Sequence, residues 1–350
     1  MTLLLWLLAG LVLGAVAEQI VTRIRTGPDA AGAATAGTRD RRPLRRRGPR
    51  RILAWSALAV VLLVIAGLVG AYLWANSVFD RIEKVDVSDQ LATGSGTNYL
   101  LVGSDNGRTG GDERAGVAGE RADTIMILRV TGGNAKLLSL NRDLMVTNPA
   151  TGQEGRLNGT YNAGPANLVA AVTENYQIPV HRYIEVDFVS FSGLVDAVDG
   201  IEVFFEHPAL DRGSGLEVPD AGLNRLDGDQ ALAYVRSRSY REVIDGEEVP
   251  EAGLPDVNRT QRQQVFLREV MKKAGSTRNP VTLNSAASEV SNGLRIDDDM
   301  AMIDAARFAW RMGRLDPEPV ILPVVPRTTG GGAAVLDPGP GSEEVLAQFR

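Results

Sequence analysis

Residues 121–143 read RADTIMILRVTGGNAKLLSLNRD, and their pattern decides the fold. Thr124–Val130 is an apolar run of strand length, Gly132-Gly133-Asn134 is a turn signal, and Lys136–Leu140 is a second strand-sized run, so the two pair as a hairpin. Upstream, Tyr99–Val102 is a shorter apolar run ending at Gly103. Downstream, Ala166–Tyr176 places Leu168, Val169, Val172 and Tyr176 at helical spacing, and Tyr183–Val186 and Ile201–Phe205 read as strands flanking a helix Phe188–Val198. Asp229–Val235, Thr260–Ala274, Val281–Ser291 and Met300–Met312 read as helices, followed by a late strand Pro319–Val324. Strands alternating with helices predict an α/β domain, a mixed β-sheet covered by helices on both faces.

The 350-residue chain is 44% apolar and 23% charged, enough apolar content to bury a core. It has no Cys, and its two His are His181 and His207. That composition excludes disulfides, thiolate nucleophiles and Cys-ligated metals, and it leaves little material for a His-based zinc site or general base. Any chemistry must run on carboxylates, guanidinium groups, hydroxyls and a hard cation. The net charge of −6 is unevenly spread: residues 1–51 hold ten Arg against Glu18, Asp29 and Asp40, a net of +7, and the remainder carries −13.

Ile52–Trp74 is 23 residues without a charge, long enough to cross a hydrocarbon core of ~30 Å as a helix. The Arg cluster ends immediately before it, and Tyr72, Trp74 and Phe79 stand where an interfacial aromatic belt belongs. The positive-inside rule then puts residues 22–51 in the cytoplasm as a disordered Arg-rich loop and the large C-terminal portion outside, anchored to the cell membrane. Leu3–Ala17 is apolar but short, and it reads either as a first transmembrane helix (1–21) or as an interfacial or artefactual extension. The remaining divisions are a linker at 75–94, a folded extracytoplasmic domain at 95–326 and a loose Gly/Pro-rich tail at 327–350. A nucleic-acid reader would need a folded cytoplasmic module, and a loop of this kind offers none.

Polar residues just beyond strand ends are where an open α/β sheet gathers its function. Gly103-Ser104-Asp105 follows the first strand, Arg121-Ala122-Asp123-Thr124 leads into the second, and Asn141-Arg142-Asp143 follows the third. If the second strand is antiparallel to its neighbours, all three clusters converge at one edge. Asp105 and Asp123 could then hold one hard cation such as Mg²⁺; the alternative is that each acid caps a local turn. Further on, Arg236 and Arg238 flank Ser237, a spacing that aligns them only in extended chain, as two guanidinium forks suited to a diphosphate. Arg259 and Gln263 share one helix face; surface salt bridging is the alternative reading of these arginines.

The ordered set NYLLVGSDNG, RADTIMILRV, SLNRD, LNGTYNAG, IPVHRYIEVDF, LVDAVDGIEV, LDGDQALAYVRSR and DVNRTQRQQ, over about residues 95–275, resembles the LytR-CpsA-Psr family of bacterial cell-envelope proteins. The resemblance implies an αβα sandwich with a central mixed sheet and an apolar channel for a polyprenyl chain. It also implies a Mg²⁺-dependent phosphotransferase that moves a glycopolymer phosphate from a polyprenyl diphosphate carrier to peptidoglycan. On that resemblance Asp105 and Asp123 are the Mg²⁺ ligands. Arg121, Arg142, Arg236, Arg238 and Arg259 bind the diphosphate, Gln263 is a polar contact in the same pocket, and Asp256 orients those arginines.

Two departures, Asn141 for a frequent Pro and Gly164-Pro165 for a Gly-Gly pair, touch loop shape and not charge. The proton acceptor is either Asp143 or a metal-bound oxygen. Leu168, Val169, Val172, Val189, Phe191, Leu194 and Val195 are candidates to line the lipid groove, with ordinary core as the alternative. The same residue set would also serve a polyprenyl diphosphate hydrolase, and a non-catalytic envelope regulator or glycan-binding module is the remaining alternative.

Overall fold

β-Branched and Leu-rich runs with a buried face on each side build one large sheet. In the computed structural model, which describes residues 49–94, 98–105, 121–277 and 279–350, its seven strands are β1 (Glu83–Val85), β2 (Asn98–Asp105), β3 (Arg121–Thr131), β4 (Asn134–Ser139), β5 (Arg182–Asp187), β6 (Leu294–Asp297) and β7 (Glu318–Ile321). Their spatial order is β1-β6-β5-β2-β3-β4-β7. β2, β3 and β4 form an antiparallel meander, β5 runs parallel to β2, β6 is antiparallel to β5, and β1 and β7 add parallel edges. The β3–β4 turn is the Gly132-Gly133 pair, with Thr131 opposite Asn134; Gly132 has φ 62°, a left-handed conformation that glycine adopts without steric cost.

Among the described residues, seven helices are nine residues or longer: α1 (Pro49–Phe79), α2 (Pro165–Tyr176), α3 (Phe188–Ala197), α4 (Gly228–Arg236), α5 (Pro255–Ser276), α6 (Pro280–Gly293) and α7 (Met302–Met312). On one face of the sheet, Leu100, Val102, Ile125, Ile127, Leu138 and Tyr183 pack with Leu168, Val169 and Val172 of α2. On the other, Met126, Leu128 and Leu137 meet Leu267 of α5 and Phe308 and Met312 of α7. A satellite core joins α3, α4 and α5 to the hairpin Ile201–Phe205/Gly222–Leu226 through Val195, Phe205, Tyr234 and Phe266. The result is the expected mixed sheet between helical layers.

The chain divides after Ala75. Within α1, Trp55–Phe79 is a 25-residue stretch long and apolar enough to cross a membrane. α1 begins at Pro49, inside the stretch 22–51 read as loop; the first apolar segment 1–21 and most of that loop lie outside the described residues.

Three expectations need correction. Leu168, Val169, Val172 and Val195 are fully buried core residues, so they are not open to line a groove; Val189 alone of the seven candidates is exposed. Strand β6 was not anticipated: Leu294-Arg295-Ile296-Asp297 is short and half charged, and its charges are hidden by pairing rather than by periodicity. The residues read as a loose tail are ordered. Val324–Thr328 and Ala334–Pro338 pair antiparallel, Ser342–Leu346 is helical, and Phe349 is completely buried with its carbonyl accepting from Asn98 Nδ2 at 2.6 Å. A few buried side chains (Leu336, Leu346, Phe349) overrode the Gly/Pro content.

Candidate active site

The meander brings the three predicted clusters to one end of the sheet, because β3 runs against β2 and β4. Asp105 and Arg121 are Cα partners at the end of the β2–β3 ladder. One step inward the register shifts: Gly103 faces Thr124 and Ser104 faces Ala122, leaving Asp123 as the extra residue of a β-bulge. A bulge redirects a side chain out of the strict alternation of the strand, and such irregularities gather beside active sites.

Asp123 is met there by Arg142, whose Nη1 lies 2.5 Å from Asp123 Oδ1. Arg142 Nε is 3.4 Å from Asp143 Oδ2, and Asp143 Oδ1 is 3.3 Å from Arg156 Nε. Asn141 makes its own turn: its Oδ1 accepts from Asp143 N–H at 3.0 Å.

The second constellation hangs on α4 and α5. α4 is capped by Asp227, which accepts from Gln230 N–H, and it ends at Arg236; Ser237 is extended with φ −59° and ψ 129°. Arg236 is therefore the last helical residue, and a single extended residue, Ser237, separates it from Arg238. Arg236 lies over the Phe188 ring at 5.4 Å, and Phe188 borders Gly103, which joins this loop to the end of β2.

On α5, Arg259 is almost fully buried and pairs with Asp256 at 3.0 Å. Its pKa is driven down to about 10, first by burial and then by the charge of Arg142, with Arg238 adding to it against the opposing pull of Asp256 and Asp123. It remains a cation at neutral pH. Arg142 is half-buried, a loss that Asp123, Asp143 and Asp256 outweigh, so its pKa rises. These shifts bring Arg142, Arg238, Arg259, Asp123 and Asp256 into one electrostatic neighbourhood. Gln263, by contrast, donates to the Val235 carbonyl at 3.3 Å and ties α5 to the end of α4.

Two residues outside the predicted set organise the Arg236–Arg238 loop. Asp211 accepts from Ser237 Oγ at 2.6 Å and from the backbone N–H groups of Arg238 and Ser239 at 2.9 and 2.8 Å. Arg262 donates to the Ser237 carbonyl at 2.8 Å and pairs with Glu251. Asp211 sits far away in sequence, in the short strand Ala209–Asp211, so no local spacing could have found it. A third cluster lies behind the site. Glu185, fully buried, accepts from Ser104 Oγ and Tyr161 Oη at 2.6 Å and from Tyr183 Oη at 2.7 Å, and it pairs with Arg295 at 3.2 Å.

A sequence model of the LytR_cpsA_psr family matches residues 75–314. The "Probable cell wall biosynthesis protein LcpB" of Corynebacterium glutamicum is 30% identical over 307 residues, covering 84% of this chain and 69% of that protein. A "Polyisoprenyl-teichoic acid--peptidoglycan teichoic acid transferase TagU" of Enterococcus faecalis is 27% identical over 263 residues, 72% of this chain and 80% of that protein. Among solved structures, a LytR-Csp2A-Psr enzyme from Actinomyces oris superposes with a TM-score of 0.63 at 27% identity, covering 77% of this chain and 96% of that one.

Proposed function

Because the chain belongs to the LytR-CpsA-Psr family, we propose that it is a membrane-anchored phosphotransferase that moves a glycopolymer phosphate from a polyprenyl diphosphate carrier to peptidoglycan. The observation that carries this reading is the crowding of Arg142, Arg238 and Arg259, with burial and mutual repulsion depressing Arg259. Guanidinium groups gathered in one place and balanced in the free protein by Asp123, Asp143 and Asp256 form a site for a polyanion, and a diphosphate presents several charged oxygens to guanidinium forks. The names of the transferase relatives support the same substrate class.

The chemistry asks little beyond this. An acceptor hydroxyl of peptidoglycan attacks the phosphorus attached to the glycan, the bond to the lipid-side phosphate breaks, and polyprenyl monophosphate leaves, its freed oxygen taking up the hydroxyl proton. Phosphoryl transfer is driven by positioning and by stabilising charge on the oxygens, which Arg142, Arg236, Arg238 and Arg259 supply, together with Arg121 at the end of the ladder. Asp256 offsets Arg259 in the free site. Asp143 faces guanidinium groups with both oxygens, an arrangement that suits holding Arg142 in place better than taking a proton.

Asp105 and Asp123 are the residues we assign to Mg²⁺. The residue types suit a hard cation: Asp105 closes β2 and Asp123 is the bulge residue of β3, so two carboxylate-bearing residues share one end of the ladder. When bound, the ion would neutralise charge developing on the phosphate oxygens. We place the domain outside the cytoplasm, with the basic segment before α1 inside.

The test is incubation of the purified full-length protein in detergent with a synthetic polyprenyl diphosphate oligosaccharide, peptidoglycan fragments and Mg²⁺, followed by mass spectrometry. Glycan phosphate joined to the peptidoglycan fragment is the expected product. Free glycan phosphate as the only product would replace the transferase with a hydrolase, and intact lipid would overturn the site assignment.

A further inference from the structure

The loop carrying Arg142 and Asp143 is held from two directions. Asn158 N–H donates to the Arg142 carbonyl at 3.0 Å and Leu157 N–H to the Leu144 carbonyl at 2.8 Å. From the C-terminal hairpin, Leu336 N–H donates to the Asp143 carbonyl at 2.9 Å, and Leu144 and Leu336 form an isolated parallel bridge. Arg156 links the two supports. Its Nε lies 3.3 Å from Asp143 Oδ1, and its Nη2 donates to the Ala334 carbonyl at 2.7 Å.

The hairpin is fixed in its turn. Leu336 is buried with Leu346 and Phe349, and Arg350 Nε donates to the Tyr176 carbonyl at 3.0 Å. All of these hairpin and C-terminal residues follow the stretch 75–314 that the family model matches. A segment beyond the matched stretch therefore bonds directly to a loop that carries one of the shared motifs, SLNRD.

We propose that Arg156, braced by the C-terminal hairpin, is a positioning residue for Arg142, acting through Asp143. The angle of the Arg142 guanidinium depends on Asp123 at one end and Asp143 at the other. An Asp side chain has two free torsions, so Asp143 can orient Arg142 only if its own carboxylate is held. Arg156 Nε and Nη2 both donate to the Ala334 carbonyl, at 3.2 and 2.7 Å, and this fixes the guanidinium where its charge faces Asp143 Oδ1 at 3.3 Å. Small misplacements of a group that stabilises a transition state are costly in rate, which gives such a brace its effect.

Arg156 is the residue to test, because its half-exposed side chain lets it be changed without opening the core. In the full-length protein, Arg156→Ala should lower kcat about tenfold with a smaller change in donor KM, and Arg156→Lys should restore most of that loss. Amide exchange over residues 141–144 should quicken in Arg156→Ala, whatever the activity. Combined with Asp143→Asn, the losses should fall well short of additive, since both act through one carboxylate. Wild-type exchange over 141–144 in Arg156→Ala, or losses that simply add, would overturn the proposal. The activity arm rests on the phosphotransferase reading; if wild-type protein transfers nothing, that reading fails while the exchange arm still decides the brace.

Discussion

Arg142 Nη1 lies 2.5 Å from Asp123 Oδ1, so a side chain assigned to the anion and one assigned to the cation hold each other. When each takes its ligand, the pair must part, and binding of either ligand frees a partner for the other. Divalent cation and diphosphate should therefore bind with positive coupling, equal in both directions. Arg142→Gln leaves Asp123 without its guanidinium. Calorimetry should show Mg²⁺ alone binding severalfold more tightly to this variant, and inorganic diphosphate binding about tenfold more weakly. Unchanged Mg²⁺ affinity would mean that Asp123 is not the cation's ligand.

The metal assignment makes a separate claim. Asp105→Ala and Asp123→Ala should each reduce transfer by about a hundredfold or more, and chelation of the wild type should do the same, reversibly on adding Mg²⁺. Circular dichroism of both variants should match wild type. Full activity after thorough chelation would remove Mg²⁺ from the reaction.

Asp211 sets a pH dependence. Burial alone would raise its pKa, yet the hydrogen bonds from Ser237, Ser239, Gly213 and Arg238 win, and the carboxyl titrates below its ordinary range. A folded-state pKa below the unfolded value, about 3.9, gives stability that is present above that value and lost as the pH falls through the folded one. Urea midpoints measured from about pH 2 to 6 should therefore fall less steeply with acid in Asp211→Asn than in wild type. Because the same carboxylate holds the Ser237–Ser239 backbone, this variant should also raise donor KM severalfold. An identical acid limb in both proteins would show that Asp211 carries no such linkage.

Much of this was legible in the sequence, and the failures have physical causes. Thr124–Val130 and Lys136–Leu140 announced the hairpin because apolar runs around a Gly pair leave few other folds, and the antiparallel meander then carried Asp123 and Arg142 to one end. The bulge at Asp123 left no trace, since a one-residue register shift does not alter composition. β6 was invisible because burial of Arg295 and Asp297 is made tolerable by Glu185 and Arg182, partners more than a hundred residues away. The ordered C-terminal segment was hidden for a related reason: its stability lies in tertiary contacts of Leu336 and Phe349, whereas its local chemistry is that of a turn-rich chain.

The Glu185–Arg295 pair behind the site yields a stability prediction. Glu185 is fully buried and Arg295 nearly so; burial alone would lower the arginine's pKa, but Glu185, Tyr161, Glu83 and Tyr183 together raise it. Arg295→Leu strands the Glu185 carboxylate in the core and should cost about 3–5 kcal/mol in urea unfolding, while Glu185→Leu, which leaves Arg295 its pairing with Glu83, should cost somewhat less. Removing both at once leaves the hydroxyls of Ser104, Tyr161 and Tyr183 without their acceptor but no unpaired buried charge. Glu185→Leu with Arg295→Leu should therefore be more stable than either single variant, although three orphaned hydroxyls should keep it below wild type. Additive losses in the double variant would mean that the two charges are solvated separately and that the pair is not what holds β2, β5 and β6 together beneath the site.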